Sequence, residues 1–166
     1  MPRSRTKRAT FLIEDQAKRR KIVELLTRAY WMELETVMNY LSHSVNLDGV
    51  RAEEIKKSLA QDVTTELGHA QQFARRIKTL AGVTPGSFAF KPDQKYLQPT
   101  SDTTNVEVVI EGVIEGEKQA IAHYNQVIAF CDGVDYVTQD MVIQILGDEQ
   151  EHLREFLGFL REYEKS

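Results

Sequence analysis

Cysteine, proline and long apolar runs are all scarce in this chain. Its single cysteine, Cys131, cannot form a disulfide within one chain or supply a multi-cysteine zinc or iron–sulfur site. No apolar run approaches the roughly 20 residues that are needed to cross a bilayer. The N-terminus also lacks the apolar core of a secretory signal. We therefore expect a cytoplasmic protein that does not associate with membranes.

Positive charge is not in excess either. The formal net charge is −4, which gives no general attraction to nucleic acid. Hydrophobic residues make up 42% of the 166 residues and charged residues 28%, which is typical of a globular protein and not of a disordered one. We expect one domain at residues 14–166, preceded by a flexible basic tail at residues 1–13.

Four long segments are free of helix-breaking proline. Apart from Pro2, the prolines lie between Pro85 and Pro99. Turn signals divide the chain into segments at residues 14–46, 50–81, 104–131 and 135–163, each with apolar residues at helical spacing. The first two segments are joined by a tight turn, as are the last two, whereas residues 82–103 can run the length of a bundle. These lengths predict an all-α four-helix bundle, with two antiparallel helix pairs joined by one long crossover.

The sequence also suggests where three of these helices begin. The pattern Thr104-x-x-Glu107 is typical of a capping box that opens the third helix. Asp48 and Asp135 are the expected N-caps of the second and fourth helices, because each precedes a segment of helical periodicity.

Ionisable side chains interrupt the apolar stripes of all four predicted helices. The first and third helices each carry one glutamate there, and the second and fourth each carry a Glu-x-x-His pair that projects from one face. The six residues are Glu33, Glu66, His69, Glu117, Glu149 and His152. Four buried glutamates would be costly and would repel one another, whereas two divalent cations would balance their charge. Because carboxylate and imidazole ligands suit iron, manganese or zinc, we predict a two-metal site.

The two halves of the chain repeat this pattern. Glu66 follows Glu33 by 33 residues, and Glu149 follows Glu117 by 32 residues. Each helix pair therefore supplies one half of the site.

Four further residues are expected to support the ligands. A tyrosine follows each single glutamate by seven residues, and an aspartate on each Glu-x-x-His helix could orient a histidine. These residues are Tyr40, Tyr124, Asp62 and Asp148. The other two histidines, His43 and His123, are expected at the surface or behind the ligands. We predict no catalytic residue beyond the metal ligands.

The ligand pattern resembles that of the ferritin-like di-iron carboxylate superfamily. The segments ELETVMNY, which starts at Glu33, and DYVTQDMVIQILGDEQEHL, which starts at Asp135, are most similar to bacterioferritins. The resemblance implies that the same six residues are ligands, with Glu66 and Glu149 as bridges. It also implies a ferroxidase-type oxidoreductase that binds two Fe(II) and oxidises them with O₂ or hydrogen peroxide, for iron storage or detoxification.

Two departures from the bacterioferritin pattern change what we expect. Bacterioferritins place a haem-ligating methionine directly after the second-helix glutamate, where this chain has Leu67, so we expect no haem. Only 14 residues follow His152, which leaves no room for the fifth helix of 24-subunit cages. A homo-oligomer is expected, and a dimer or a 12-subunit shell of the mini-ferritin type is favoured over a 24-mer.

Two alternative functions stay open. One is a dimeric peroxidase or oxygenase with a di-metal site that stores no mineral. The other is a metal-stabilised scaffold that coats DNA through the basic tail, which carries Arg3, Arg5, Lys7 and Arg8. We favour a solubilising role for the tail over DNA binding.

Overall fold

The computed structural model describes residues 13–163, and four long helices account for most of this range. The helices are α1 (Gln16–Asn46), α2 (Glu53–Thr79), α3 (Val106–Cys131) and α4 (Tyr136–Tyr163). Helix α1 packs against α2 and α3 against α4, while α1 also contacts α3. The predicted four-helix bundle is confirmed. No helix in this part of the chain is both long and apolar enough to span a membrane. The basic residues of the predicted tail lie outside the described residues, so its role and the domain division stay predictions.

The helix starts agree only partly with the sequence signals. Asp135 is confirmed as a cap, because its carboxylate accepts the backbone N–H of Thr138 at 3.1 Å. The capping box at the start of α3 is wrong, since Asn105 is the N-cap there. Asp48 does not cap α2 but accepts the hydroxyl of Thr103 at 2.7 Å. A short 3₁₀ turn, Val50–Ala52, precedes α2 instead.

The apolar core forms two clusters, one toward each end of the bundle. One cluster includes Tyr40 of α1 and Phe156 of α4, and the other includes Leu26 of α1 and Phe73 of α2. On every helix, the predicted ligand positions fall between the residues of the two clusters. The bundle therefore has a polar middle layer that is closed off by apolar packing at both ends.

The crossover, residues 82–103, is held against α1 and α3. Both carboxylate oxygens of Glu35 accept the backbone N–H of Asp93, at 2.8 and 3.0 Å, and one also accepts that of Gln94 at 2.9 Å. On the other side, a Cβ added at Gly112 would lie 2.6 Å from the carbonyl oxygen of Tyr96. Glycine at this position therefore lets the crossover approach α3 closely.

The expectation for His43 and His123 is wrong, because neither side chain is at the surface or behind a ligand. Both are buried, with exposed fractions of 2% and 3%. Nε2 of His43 lies 3.0 Å from the carbonyl oxygen of Leu97, and Nε2 of His123 lies 2.9 Å from that of Leu25. His43 thus ties the crossover to α1, and His123 ties α3 to α1.

Candidate metal centre

The six predicted ligands meet in the middle layer of the bundle. Five of them are buried, and His152 is partly buried. Their ligating atoms form two groups of four, and within each group the atoms lie within 4.8 Å of one another. One group is Glu33, Glu66, His69 and Glu149, and the other is Glu66, Glu117, Glu149 and His152. Glu66 and Glu149 belong to both groups, so they occupy the position between two neighbouring sites.

His69 faces the carboxylates of the first group through Nδ1. This nitrogen lies 3.1 Å from Oε1 of Glu149, 3.3 Å from Oε2 of Glu66 and 3.9 Å from Oε1 of Glu33. Three helices thus bring their side chains to one imidazole nitrogen.

His152 takes the equivalent position in the second group. Its Nδ1 lies 3.1 Å from Oε1 of Glu66, 3.6 Å from Oε2 of Glu149 and 3.8 Å from Oε1 of Glu117. The two groups are therefore related by an approximate two-fold symmetry, as the sequence repeat predicts.

The two tyrosines support the single glutamates across the bundle. The hydroxyl of Tyr124 on α3 donates to Glu33 on α1, and the hydroxyl of Tyr40 on α1 donates to Glu117 on α3 at 2.6 Å. Burial and the nearby glutamates raise the pKa of both phenols well above 10, so both stay protonated and donate. Each tyrosine thereby fixes the orientation of one carboxylate.

The two aspartates lie behind the histidines. Oδ2 of Asp148, an exposed residue, is 3.1 Å from Nε2 of His69, and Oδ1 of buried Asp62 is 3.7 Å from Nε2 of His152. The first distance is a hydrogen bond and the second is too long for one. Burial, and after it the charges of Glu66 and Glu155, raise the pKa of Asp62 to about 6. The repeat does not mark Glu155, because the matching residue of the first half is Gln72.

The metal-free carboxylates differ in their affinity for protons. Burial, and then the charges of Glu149 and Glu66, raise the pKa of Glu33 and of Glu117 well above the usual range. Burial opposes ionisation of Glu66 too, but hydrogen bonds from His152 and His69 lower its pKa to about 2. Without cations, the outer carboxylates therefore hold protons while Glu66 stays charged.

The histidines are strongly basic in the metal-free state. Burial by itself would lower the pKa of each, but hydrogen bonds to Glu149 and Glu66 raise that of His69 to about 10 and that of His152 to about 12. Protons thus stand in for the positive charge that the carboxylates require. A cation that binds here must displace them.

Buried atoms without a hydrogen-bond partner indicate whether two metal ions fit this cluster. Oε1 of Glu66, Oε1 of Glu149 and Nδ1 of His152 are buried, and none of them makes a well-aligned hydrogen bond within residues 13–163, although each lies 3.1 Å from an atom of opposite charge in the cluster. All three belong to residues of the two ligand groups. Buried polar atoms rarely stay unpartnered unless they bind an ion or water. Oxygen and imidazole donors in this number suit two divalent transition-metal ions.

A four-helix bundle with this central carboxylate and histidine cluster defines the ferritin-like class. The family model for the ferritin-like domain, named Ferritin, matches residues 23–166. The chain therefore belongs to the ferritin family.

One sequence match and two structural matches agree with this assignment. A bacterioferritin from Desulfovibrio desulfuricans is 28% identical over 134 residues, which cover 80% of this chain and 70% of that protein. The dodecameric thioferritin of Bacteroides fragilis, a bacterioferritin-related protein, superposes with a TM-score of 0.80 at 24% identity, covering 89% of this chain and 88% of that one. An X-ray structure of Desulfovibrio desulfuricans bacterioferritin, which has a diiron site, superposes with a TM-score of 0.74 at 25% identity, covering 90% and 83%. The resemblance to bacterioferritins is confirmed.

Proposed function

We propose that this protein binds two ferrous ions per chain and oxidises them, as a ferroxidase-type oxidoreductase for iron storage or detoxification. The observation that carries the proposal is the pair of four-residue ligand groups that share Glu66 and Glu149. The diiron site of the bacterioferritin relative supports iron over manganese or zinc.

Each ligand has a separate role in this proposal. His69 and Glu33 bind one ion, and His152 and Glu117 bind the other. Glu66 and Glu149, which belong to both ligand groups, would contribute to the binding of both ions.

Supporting residues orient these ligands. Because Tyr40 and Tyr124 donate to the outer glutamates, the free carboxylate oxygens are directed at the metal positions. Asp148 accepts from Nε2 of His69, which leaves the Nδ1 lone pair for a metal. No haem is proposed, since Leu67 has no ligating atom.

Iron is the substrate of the proposed reaction. Two Fe(II) ions together donate two electrons to hydrogen peroxide, which is reduced to two hydroxide ions while both ions become Fe(III). The protein supplies binding, orientation and charge neutralisation, because the four glutamates stabilise the added positive charge of the ferric state.

Anaerobic titration with Fe(II), followed by exposure to air or peroxide, tests the proposal. We expect binding to saturate at two Fe(II) per chain, followed by rapid oxidation. Iron that accumulates beyond two per chain would indicate storage, whereas turnover at two per chain would favour the non-storing enzyme. Saturation at fewer than two ions, or oxidation no faster than in buffer, would contradict the two-iron centre.

We also propose that the protein assembles into a homo-oligomer, as a dimer or 12-subunit shell. Helix α1 presents apolar side chains at heptad-like spacing: Leu34, Met38, Leu41 and Val45. The last three have exposed fractions of 62%, 54% and 71%. A stripe of this kind is typical of a helix that packs against a partner. The related thioferritin is dodecameric.

Sedimentation velocity of the wild type and of Leu41→Glu tests this assembly. We expect the variant to shift toward a smaller species, while the exposed variant Leu67→Glu on α2 does not. A monomeric wild type would exclude both the dimer and the shell.

A further inference from the structure

A polar cavity of about 520 Å³ lies on the outer side of α1. The residues that matter for its chemistry are Lys21, Arg28 and Trp31 of α1, Lys91 of the crossover and His123 of α3. Arg28 and Lys91 are exposed, whereas Glu33 on the same helix faces the interior. The cavity is therefore separate from the candidate metal centre.

The walls of this cavity carry a surplus of positive charge. Three cations, Lys21, Arg28 and Lys91, line it, and the one acid that does so, Glu24, pairs with Lys21 at 2.9 Å. Arg28 and Lys91 have no ion pair within the described residues. The surplus belongs to this cavity alone, because the adjoining cavity, which Arg28 and Lys91 also line, adds two acids: Asp93, and Glu35, which already accepts the backbone N–H groups of Asp93 and Gln94. This balance favours an anion.

Two of the residues that line the cavity each have a ring nitrogen without a hydrogen-bond partner among residues 13–163. Nε1 of Trp31 and Nδ1 of His123 are both buried, and neither has a partner in the described part of the chain. His123 has an exposed fraction of only 3%. Such atoms are uncommon in folded proteins and call for a partner that is supplied from outside the chain.

The two nitrogens require opposite hydrogen-bonding behaviour from that partner. Nε1 of Trp31 can only donate. Nε2 of His123 lies 2.9 Å from the carbonyl oxygen of Leu25, so Nε2 carries the proton and donates. Burial, together with the positive charge of Arg28, lowers the pKa of His123, so the ring is neutral and its Nδ1 accepts. The missing partner therefore accepts one hydrogen bond and donates another through an O–H, and the cations that line the cavity favour an anion of this kind over water.

We propose that this cavity binds inorganic phosphate, which keeps an O–H at neutral pH. Its oxygens accept from Arg28, Lys91 and the indole N–H of Trp31, and its P–OH donates to Nδ1 of His123. Sulfate carries no O–H at neutral pH and cannot make the last contact. Because both ring nitrogens are buried, the exposed and flexible side chains of Arg28 or Lys91 must move aside to admit the ligand. This proposal does not depend on the metal chemistry.

Titration of the full-length protein with inorganic phosphate tests the proposal, with tryptophan fluorescence as the signal. Trp31 is the only tryptophan in the chain, so the signal comes from the cavity itself. We expect a saturable change that sodium chloride of equal ionic strength does not produce. Metal-loaded and chelated protein should give the same affinity.

Matched variants assign the binding to this cavity. Loss of one charged hydrogen bond should weaken phosphate binding about tenfold in Arg28→Gln and in Lys91→Gln. Arg75→Gln and Lys57→Gln, which replace exposed cations on α2, should keep the wild-type affinity. Sulfate should bind about tenfold more weakly than phosphate.

Three results would overturn the proposal: no saturable change with phosphate, equal affinity for sulfate, or wild-type affinity in both cavity variants. Glycerol phosphate tests the contact with His123, because a phosphate monoester has a second pKa of about 6 and is mostly a dianion without an O–H at neutral pH. Weaker binding of glycerol phosphate than of inorganic phosphate would support this contact, and equal or tighter binding would contradict it.

Discussion

The candidate metal centre brings together charged side chains, each of which would be costly to bury alone in an apolar interior. Glu33 and Glu117 hold protons in the metal-free state because burial raises the pKa of each, and His69 and His152 hold protons because glutamates surround them. The cluster thus stays close to neutral by taking up protons. Two divalent metal ions that displaced these protons would supply the positive charge in their place.

Substitution of a shared ligand should abolish iron oxidation. Glu149 belongs to both ligand groups, so Glu149→Ala removes one ligand from each ion. We expect the initial rate of Fe(II) oxidation to fall by about 100-fold or more, beyond the 10–100-fold that is typical when a supporting residue is lost. Stopped-flow absorbance measures this rate, and circular dichroism checks that the helical content is kept.

Glu151→Ala is the matched control for this substitution. Glu151 lies on the same helix but is exposed and pairs with Arg154. Its variant should oxidise iron at the wild-type rate, and an equal loss in both variants would contradict the role of Glu149.

Removal of a supporting hydroxyl should weaken metal binding and shift its pH dependence. Burial raises the pKa of Glu117, and the hydrogen bond from Tyr40 opposes that rise. Tyr40→Phe should therefore raise this pKa further, so that metal binding requires a higher pH. We expect an affinity 10–100-fold lower near neutral pH, measured by competition with a chromophoric chelator between pH 6 and 8. Tyr136→Phe, at an exposed hydroxyl, should leave both quantities unchanged, and a Tyr40→Phe curve that overlays the wild type would refute the role of Tyr40.

At the scale of the elements, the crossover depends on one buried carboxylate outside the metal centre. Glu35 lies two residues from Glu33, so its side chain projects about 200° around the helix axis from that of Glu33. It is nevertheless buried, with an exposed fraction of 5%, because residues 82–103 cover it. The charge of Glu35 is satisfied by backbone N–H groups of the crossover, so the carboxylate serves as a structural anchor.

Glu35→Ala should destabilise the fold by about 1–3 kcal/mol, because the backbone N–H groups of Asp93 and Gln94 lose their acceptor. Urea unfolding measures the free energy of unfolding, and limited proteolysis should show earlier cleavage within residues 82–103. Glu115→Ala is the control, since Glu115 is exposed and contacts only Gln119 among the hydrogen-bond partners described. Equal stability of the two variants would show that Glu35 is not an anchor.

At the scale of the whole molecule, metal binding and bundle stability should be coupled. The polar layer joins all four helices at mid-length, so an ion there connects side chains from every helix. If metals bind the folded state alone, a free concentration 100 times Kd stabilises it by about 2.7 kcal/mol. For a chain of this size we expect a melting temperature higher by about 5–10 °C.

This stabilisation should decrease as the pH falls. The histidine pKa values of about 10 and 12 mean that metals compete with protons at both imidazoles. The metal-induced rise in melting temperature, measured by calorimetry with and without chelator, should therefore be smaller at pH 6 than at pH 8. Glu149→Ala should show little of this rise at either pH. A rise that is independent of pH would mean that no protons are displaced.

Much of this architecture could be predicted from local sequence patterns. Helical periodicity gave the four helices to within a few residues, because a long amphipathic stripe has few other ways to be buried. The two Glu-x-x-His pairs, together with the single glutamates on the apolar stripes of α1 and α3, singled out the six side chains that meet in the middle layer. The helix starts were less predictable, since Thr104 and Asn105 are both good caps and only the backbone path selects Asn105.

The environment of several other residues could not be predicted. His43 and Glu35 carry no distinctive spacing, and their burial depends on where residues 82–103 cross α1. The same holds for His123 and Arg28, which share a cavity only because α3 lies beside α1. The cytoplasmic location, the native metal and the DNA contact stay predictions.

Local periodicity was sufficient to predict the helices and to identify the clustered acids and histidines, because both recur at regular spacing along the chain. Packing between the helices determines which tyrosine supports which glutamate and where the cationic cavity forms. These depend on distances between helices that are far apart in sequence, and no local pattern encodes those distances.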